Sequence, residues 1–341
     1  MEENHFRKQV VWTAYILCIL VVLMHSENAV LFLGEAGENG TVGLIETLIG
    51  ERIAQIAVPG FFMLSSYLFF RNYTLERTQE KWNRRLHSIV IPYLLWNTVY
   101  YLGYCIASRV PGLKTVTGKT PVFFSFLFLL DAALNGTYNY VFWFVYQLIL
   151  LIIISPVIYL FIKKKTLGII TGVVLLVWIF LRGSTGILNA DALFYYLFAA
   201  YLCVHHREET ENPGGRRKMV IGILLFTAVP FFSSFPGYYE KSLFCVILRT
   251  AGAYGLWMIL SSLPLKTPGG RMKNTFLMYA THYAFVRLTN KTADLFLHGN
   301  GAAALILFFL IPVLTTVIVQ AVSACMRKHV PAFYRLISGN R

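Results

Sequence analysis

The sequence predicts an all-α polytopic membrane protein, and its composition and hydropathy pattern carry this prediction. Hydrophobic residues make up 57% of the 341 residues, only 13% are charged, and the mean hydropathy is +0.60. A soluble domain carries about 25% charged residues, so this composition argues against an ordinary soluble enzyme. The apolar residues fall into successive runs near the length that crosses a bilayer as a helix. Because no long polar block separates these runs, we predict one membrane-embedded domain over 1–341 and no soluble domain.

About ten apolar segments approach the roughly 20 residues that a transmembrane helix needs, some only with generous ends. A shorter run at 121–134 is interrupted by Asp131 and is predicted to form an interfacial helix. The ten predicted spans are 10–33, 53–70, 88–107, 141–162, 167–182, 191–204, 219–234, 243–264, 274–293 and 302–325.

The basic residues predict the orientation of these spans. The net charge is +14, but Lys and Arg occur in short clusters between apolar runs, which is typical of cytoplasmic membrane loops and not of a nucleic-acid-binding surface. If the N-terminus is cytoplasmic, most basic residues fall in inner segments. The first outer segment is then acidic, with Glu35, Glu38, Glu46 and Glu51. The positive-inside rule therefore predicts ten spans with both termini in the cytoplasm.

Several common functional signatures do not occur in the sequence. The five cysteines lie singly without CxxC spacing, which favours buried thiols over a disulfide framework or a metal site. HExxH and GxSxG motifs are likewise missing from the sequence. The segment GLKTVTGKT at 112–120 is not a phosphate loop, because its glycines are one residue too far apart. The first apolar run is too long for a signal peptide and is predicted to be retained.

His25 is the most informative single residue, because it interrupts the apolar run from Val10 to Leu33 together with Glu27. A titratable side chain inside a span loses hydration unless a partner or a water-filled cavity receives it, which marks a functional-site candidate. Histidine suits a general base or nucleophile near neutral pH. The alternative is a histidine that only hydrogen-bonds a neighbouring helix. If the helix continues, Asn28 is its polar neighbour, and a carboxylate that orients the imidazole must come from another span.

Later spans contain further polar residues. His282 lies in mid-span in NTFLMYATHYAFVR, residues 274–287, with Arg287 further out, and Arg249 lies toward the outer end of the eighth span. Two histidines and two arginines inside spans favour a polar, water-accessible interior. For each arginine alone, snorkelling to the outer interface is the favoured explanation.

The second span contains Pro59-Gly60, followed by Ser65 and Ser66. Proline inside a span interrupts backbone hydrogen bonding, which is tolerated where protein or a cavity satisfies the freed groups. Small polar residues suit close contact between helices. Taken by itself, the Pro-Gly dipeptide favours a kinked packing helix over a functional break.

Three further residues lie at predicted span ends. Arg84 and Arg85 precede the third span at the cytoplasmic face, where they meet an anionic ligand or simply anchor the helix among lipid headgroups. Trp143 lies within NYVFWFVYQ, residues 139–147, a pattern typical of an interfacial aromatic belt.

Taken in order, these blocks resemble the acyltransferase 3 family of bacterial integral membrane acyltransferases. The blocks are ILVVLMH, AVPGFFMLSSYLFF, RRLHSIVIPYLLWN, the FWF of 142–144 and FLMYATHYAF. The resemblance implies acyl transfer, most often of acetyl from acetyl-CoA, to a hydroxyl of a cell-envelope polysaccharide or a lipid-linked sugar. It further implies a multi-pass protein of the bacterial plasma membrane that uses acyl-CoA as donor substrate and holds no bound cofactor or metal.

By the same resemblance, His25 is the catalytic residue and Arg85 faces the donor side. Further donor-binding or pore-lining candidates are Arg84, Ser65, Ser66, Trp143 and His282. The chain departs from the family at two places. The family commonly has an arginine eleven residues before the histidine, where this chain has Ala14, and Ser65-Ser66 stands in place of a Ser-Gly pair.

Two other functions remain open at this point. The same polar interior suits a transporter or flippase of a lipid-linked saccharide, although no inverted repeat is visible in the sequence. The missing arginine also allows a catalytically inactive family member. The sequence does not distinguish direct transfer to the acceptor from transfer through an acyl-histidine intermediate.

Overall fold

A computed structural model describes residues 2–112, 121–235, 237–238 and 242–339 of the chain. These residues form helices and connecting turns, with no β-strand among them, so the all-α prediction is confirmed. Residues 113–120 of the glycine-containing segment considered above lie outside the described residues. The α-helices are α1 (Glu2–His25), α2 (Ala29–Leu33), α3 (Glu35–Asn39), α4 (Thr41–Glu46), α5 (Ala57–Phe70), α6 (Thr78–Arg85), α7 (Ile91–Ala107), α8 (Phe126–Asn135), α9 (Trp143–Ile153), α10 (Ser155–Ile162), α11 (Lys165–Arg182), α12 (Ala190–His205), α13 (Arg207–Glu211), α14 (Arg216–Phe232), α15 (Ser242–Ser261), α16 (Thr275–Leu297), α17 (Gly301–His329) and α18 (Pro331–Ser338).

Within the described ranges, six helical stretches are long and apolar enough to cross a membrane. They are Glu3–Leu33, Thr41–Phe70, Leu75–Ala107, Lys165–Arg182, Ser242–Ser261 and Gly301–His329. A seventh candidate combines α8 with Tyr140–Ile153 across a bend of 45°. The predicted interfacial helix is therefore either one arm of a broken span or a separate surface helix.

Each of the ten predicted spans overlaps a helix. The helices outside the six long stretches and the bent pair are short or carry charged residues. α12 has 16 residues and α14 has 17, so they rise only about 24–26 Å against a hydrocarbon core of roughly 30 Å. α16 has 23 residues but carries Arg287, Lys291 and Asp294. A total of ten spans and the cytoplasmic position of both termini therefore stay predictions.

The described chain divides into two compact units that are each discontinuous in sequence. Unit 1 contains Met1–Met24, Thr47–Trp82 and Leu150–Lys273. Unit 2 contains His25–Glu46, Asn83–Ile149 and Asn274–Arg341. The boundary falls directly before His25, so this residue belongs to unit 2. The prediction of a single domain stays a prediction.

In unit 1, glycines allow α14 and α15 to approach each other closely. A Cβ atom added to Gly255 would lie 2.7 Å from the carbonyl oxygen of Gly222, and one added to Gly222 would lie 2.8 Å from the carbonyl oxygen of Gly255. Backbones of apolar helices come this near only where small residues face each other. Ser66 also belongs to unit 1, and its hydroxyl donates to the carbonyl of Tyr196 between α5 and α12.

An ion-pair network in unit 1 joins two arginines to two glutamates. Arg71 lies between Glu3 and Glu211, at 2.5 Å and 2.8 Å respectively. Arg207 pairs with the same Glu211 at 2.9 Å, and the hydroxyl of Tyr67 donates to it at 3.1 Å. Arg71 is therefore a structural cation of unit 1 in addition to any role in setting topology.

Two prolines coincide with irregular helical turns just before them. Thr47–Ile53 is a π-helix and Ala54–Ile56 a 3-10 helix ahead of Pro59, and Leu86–Val90 is a π-helix ahead of Pro92. Proline lacks an N–H group and its ring clashes with the carbonyl four residues earlier, so the preceding turn adopts another hydrogen-bonding pattern. The remaining short 3-10 segments are Leu75–Arg77, Tyr140–Phe142 and Gly270–Lys273.

In unit 2, α7 packs against α8 through a buried cluster of Tyr101, Cys105 and Ala132. The hydroxyl of Tyr93 on α7 donates to the carbonyl of Leu134 at the end of α8, at 2.8 Å. Other positions of α8 expose large apolar side chains, among them Phe126, Leu127 and Phe128. An exposed apolar face on a short helix fits the predicted location in the membrane interface.

The close contact of α14 and α15 predicts that Gly255→Ala destabilises the protein. The added methyl group forces two backbones apart, at a cost of about 1–3 kcal/mol. Gly172→Ala in α11 is the matched control, since the nearest contact of an added Cβ atom is an ordinary 3.9 Å to the side chain of Leu197. Alanine exceeds glycine in helix propensity, so the control keeps or raises the melting temperature. Thermal unfolding of both variants in detergent checks this, and equal melting temperatures would contradict the packing argument.

Candidate active site

The first helix ends at His25, which differs from the continuous span that the apolar run predicts. α1 stops at His25, Ser26–Asn28 are not helical, and α2 begins at Ala29. Ser and Asn side chains compete for backbone hydrogen bonds and favour helix ends over helix interiors. His25 therefore lies at a helix terminus next to irregular backbone.

Glu46 satisfies the backbone at this break. Its carboxylate accepts from the N–H of Asn28, at 3.0 Å and 3.1 Å to the two oxygens, and from the N–H of Ala29 at 2.9 Å. The side chain is only 4% exposed. The first N–H groups of a helix have no partner within the helix, and a carboxylate placed there is stabilised by them. The charge count placed Glu46 in an outer acidic segment, whereas it is a buried anchor for the residues after His25.

The same break is held by two asparagines. The side-chain amide of Asn28 donates to Asn290 Oδ1 in α16 and to the carbonyl of Ala304 in α17, both at 3.2 Å. Asn290 in turn donates to the carbonyl of Ser26 at 3.2 Å. These bonds fix the segment after His25 to two further helices. Asn290 was not among the predicted site residues. It lies about two helical turns beyond His282 and thus on the same face of α16, so helical periodicity could have indicated it.

Four rings from three separate segments meet at His25. Its ring centroid lies 5.2 Å from that of His282, 5.5 Å from that of Tyr283 and 6.2 Å from that of Tyr140. Tyr140 and Tyr283 contact each other edge to face at 4.8 Å. The imidazole of His25 is partly exposed, and none of the described residues hydrogen-bonds to it. The carboxylate expected to orient it is therefore not found among these residues, and packing between rings fixes its position instead.

His282 is fully buried and has a defined tautomer. Its Nδ1 lies in hydrogen-bond contact with the carbonyl oxygen of Tyr279 one turn earlier in α16. A carbonyl only accepts, so Nδ1 carries the proton, and in the neutral ring Nε2 holds a lone pair. Nε2 has no hydrogen-bond partner among the described residues. Neutral His282 therefore offers a hydrogen-bond acceptor at Nε2 and not a donor.

Tyr140 is held by a turn that follows α8. Gly136 ends this helix with φ +68°, a left-handed conformation that favours glycine. The amide of Asn139 donates to Asn97 Oδ1 at 3.0 Å, and both side chains are buried. The hydroxyl of Tyr279 donates to the carbonyl of Val141. The turn, α7 and α16 thus fix the residues on both sides of Tyr140, which the sequence analysis did not single out.

The other predicted site residues are not among the ring contacts of His25 or belong to unit 1. Arg84 is exposed and Arg85 partly buried at the end of α6, and Trp143 is 43% exposed. None of them is among the ring contacts of His25 described above. Ser65 and Ser66 belong to unit 1, where the hydroxyl of Ser66 is engaged by a backbone carbonyl. Of the predicted residues, the structure brings together His25 and His282, and it adds Tyr140 and Tyr283.

The Pro-Gly segment and the remaining arginines also have defined surroundings. A Cβ atom on Gly60 would meet the side chain of Leu17 at 2.7 Å, so this glycine admits a close helix contact within unit 1. Arg7 and Lys8 are the basic residues nearest to Ala14 on its N-terminal side. Arg7 pairs with Glu3 on the surface. Arg249 donates to Gln55 Oε1 at 2.8 Å, which differs from the snorkelling considered above.

Comparison with known proteins identifies the family. The model of the acyltransferase 3 family, described as an acyltransferase domain, matches residues 15–323. Because this match spans nearly the whole chain and contains every residue of the ring cluster, the chain belongs to the acyltransferase 3 family and is a membrane acyltransferase. The match begins one residue after Ala14. No curated protein and no solved structure shows significant similarity to the chain.

The buried carboxylate predicts a local effect of Glu46→Ala. The variant leaves the N–H groups of Asn28 and Ala29 without their acceptor, which costs about 1–3 kcal/mol for each buried group that finds no new partner. We expect a lower melting temperature and faster amide hydrogen exchange at residues 26–30. Glu38→Ala, an exposed glutamate of α3, is the control and leaves both unchanged. Unaltered exchange at residues 26–30 in Glu46→Ala would show that the carboxylate does not hold the break.

Proposed function

We propose that this acyltransferase moves acetyl from acetyl-CoA to a hydroxyl of a cell-envelope polysaccharide or a lipid-linked sugar, in the bacterial plasma membrane. The observation that carries the proposal is the contact of His25 with His282 in a member of the acyltransferase 3 family. Imidazoles in an otherwise apolar chain are costly unless they do chemistry or bind a partner. The proposal requires no metal and no bound cofactor.

Because His25 is partly exposed, it can contact the acceptor hydroxyl and act as the base in the proposed reaction. Its partly exposed imidazole takes the proton of the acceptor hydroxyl while the hydroxyl oxygen attacks the thioester carbonyl carbon. The carbon–sulfur bond then breaks, and the departing CoA thiolate takes the proton from His25. The products are the ester and free CoA, and the histidine returns to its starting state. His25 thus acts as general base in the first half and as general acid in the second.

The surrounding groups have complementary tasks in this mechanism. His282, whose ring lies 5.2 Å from that of His25 and whose Nε2 is unprotonated, stabilises the imidazolium that forms during the attack. The hydroxyls of Tyr140 and Tyr283 are donors near His25 and stabilise the oxyanion of the tetrahedral intermediate. Ser66 is a weaker choice for that task, because its hydroxyl already donates to a carbonyl in unit 1.

Donor binding is proposed to depend on Arg84 and Arg85. The family arginine is replaced by Ala14, so another cation must meet the CoA phosphates. With both termini in the cytoplasm, Arg84 and Arg85 lie at the inner face, where acetyl-CoA is available. The acceptor approaches from the opposite face. The protein then joins a cytoplasmic donor to an external acceptor across the membrane.

The catalytic role predicts that His25→Ala abolishes envelope acetylation. A general base contributes roughly 100- to 10,000-fold in rate, so the variant should fall below detection in cells. A strain that lacks the gene is complemented with wild type, His25→Ala or His298→Ala. His298 is an exposed histidine paired with Asp294 and serves as control. Ester-linked acetyl released from envelope glycans by mild base is the measurement.

Two results of this experiment contradict the proposal. Full restoration of acetylation by His25→Ala means that His25 is not the base. Unchanged acetylation in the deletion strain, with lipid-linked saccharides accumulating on the inner leaflet, indicates a transporter instead.

A separate measurement distinguishes the two forms of acyl transfer. Recovery of acetyl on a histidine-containing peptide after the reaction is quenched with acid indicates an acyl-histidine intermediate in place of direct transfer.

The donor site predicts a selective effect of Arg85→Gln. Loss of a charged contact to a CoA phosphate raises KM for acetyl-CoA about tenfold or more, while kcat changes little, because the contact is equal in ground and transition states. Arg77→Gln is the matched control on the same basic segment, where Arg77 is paired with Glu80. CoA release by purified protein, with membranes of the deletion strain as acceptor, gives both constants. Equal KM values in the two variants would remove Arg85 from the donor site.

A further inference from the structure

Unit 2 contains a groove between α7 and α16 with a volume of about 330 Å³. Val99 and Gly103 of α7 and Ala284 and Leu288 of α16 are among its lining residues. All four are exposed, Val99 by 46% and Leu288 by 45%, so the groove opens on the apolar outer surface of these two helices. A cavity of about 150 Å³ holds a benzene molecule, so this groove accommodates a single apolar chain of roughly a dozen carbons.

Among the described residues that line this apolar groove, Arg287 is a cation. Arg287 lines it and donates to the hydroxyl of Tyr283 one turn earlier, at 3.2 Å, with Cζ 5.6 Å from the ring centroid. The guanidinium is thus directed back toward the level of His282. The end of α16 at Leu297 lies about 15 Å away in the other direction. Snorkelling toward that end would have carried the guanidinium away from Tyr283, so simple anchoring does not explain its position.

The charge of Arg287 is not balanced by a carboxylate of the described residues. No aspartate or glutamate in these ranges lies within ion-pair distance of Arg287, or of Lys291 on the next turn of α16. Both side chains are partly buried. Arg287 at an apolar groove, with Lys291 one turn further along α16, is complementary to a ligand with an anionic head and an apolar tail.

Tyr283 separates the groove from the ring cluster. Tyr283 lines the groove, and its hydroxyl accepts a hydrogen bond from Arg287. The centroid of its ring lies 5.5 Å from that of His25. A ligand whose anion rests on Arg287 therefore has its next groups close to His25. A group-transfer site requires this arrangement of its acceptor, with the reacting hydroxyl near the base and the binding energy supplied further away.

We propose that the groove and Arg287 bind the lipid phosphate of the acceptor. The phosphate pairs with Arg287 and Lys291, the polyprenyl chain fills the groove, and the sugar beyond the phosphate reaches His25. This inference rests on the proposed function and names its acceptor as a lipid-linked saccharide instead of a finished polysaccharide. The acyl chain of the donor is a poorer occupant because it carries no charge for Arg287. A phospholipid is poorer because the groove has room for one chain.

The charged half of the proposal is tested by lipid binding to purified full-length protein in detergent. The probes are a polyprenyl monophosphate of 15 carbons, the polyprenol of equal length and a phosphatidic acid, each titrated by native mass spectrometry. We expect the wild type to bind the polyprenyl phosphate at least tenfold more tightly than either other probe. Arg287→Gln should remove the preference over the polyprenol, whereas Arg182→Gln, an exposed arginine at the end of α11 in unit 1, should keep it.

The apolar half is tested by Gly103→Leu. A Cβ atom at Gly103 meets nothing within 4 Å, so the larger side chain enters the groove without displacing the backbone. We expect this variant to keep the wild-type melting temperature and to bind both polyprenyl probes at least tenfold more weakly. Gly172→Leu in α11 is the control and should bind both probes as the wild type does.

The outcomes separate this inference from the proposed function. Unchanged preference in Arg287→Gln, unchanged binding in Gly103→Leu, or equal binding of phosphatidic acid and polyprenyl phosphate each overturns the lipid-phosphate site. His25→Ala should bind the polyprenyl phosphate like the wild type while transferring no acetyl. If the wild type binds the probe as expected but the deletion strain keeps its acetylation, the lipid-phosphate site stands and the acyl-transfer proposal is wrong.

Discussion

The site in unit 2 depends on one interaction, the acceptance of two backbone N–H groups by the buried carboxylate of Glu46. Inside a membrane, a helix that ends within an apolar run exposes backbone groups, and each unsatisfied group costs several kcal/mol. Glu46 removes that cost for Asn28 and Ala29, and the side chains of Asn28 and Asn290 tie the same break to α16 and α17. Only because the helix can end there does His25 stand at a terminus, where its ring contacts those of His282 and Tyr283 in α16 and the residue stays partly exposed.

The catalytic base proposed here is oriented by packing. Many bases are held by a carboxylate that fixes the tautomer and stabilises the charged imidazole. Among the described residues His25 has no such partner, and the neighbouring His282 takes its tautomer from a backbone carbonyl. An arrangement of aromatic rings avoids placing a second charge in an apolar region, which would be costly to desolvate. The orientation of His25 then depends on the turn at Gly136 and on the asparagine pair that places Tyr140 beside it.

The sequence was sufficient for the all-helical class, because apolar runs are local signals. Isolated titratable groups are local signals as well, and they singled out the two histidines whose rings the structure brings into contact. The sequence was insufficient to predict the break after His25. The residues before and after Ser26–Asn28 are apolar, so the hydropathy pattern predicts one continuous span to Leu33. Glu46 looked like a solvent-facing charge because a charge count carries no information on burial. The hydrogen bond of Ser66 to the carbonyl of Tyr196 was not predictable either, because the two residues are 130 positions apart in the chain. Asn290 was accessible to helical periodicity from His282, whereas Tyr140 and Tyr283 required tertiary structure to be recognised.

The π-helical segment before Pro92 has a consequence for how this chain is compared with its relatives. A π turn accommodates an extra residue, and each residue of an α-helix advances the direction of side chains by about 100°. A helical wheel drawn through Leu75–Ala107 therefore assigns the wrong face to every position beyond Leu86–Val90. Arg84 and Arg85 lie before this shift, while the groove residues of α7 lie after it. Mutational scans or co-variation patterns should be phased separately on the two sides of the segment.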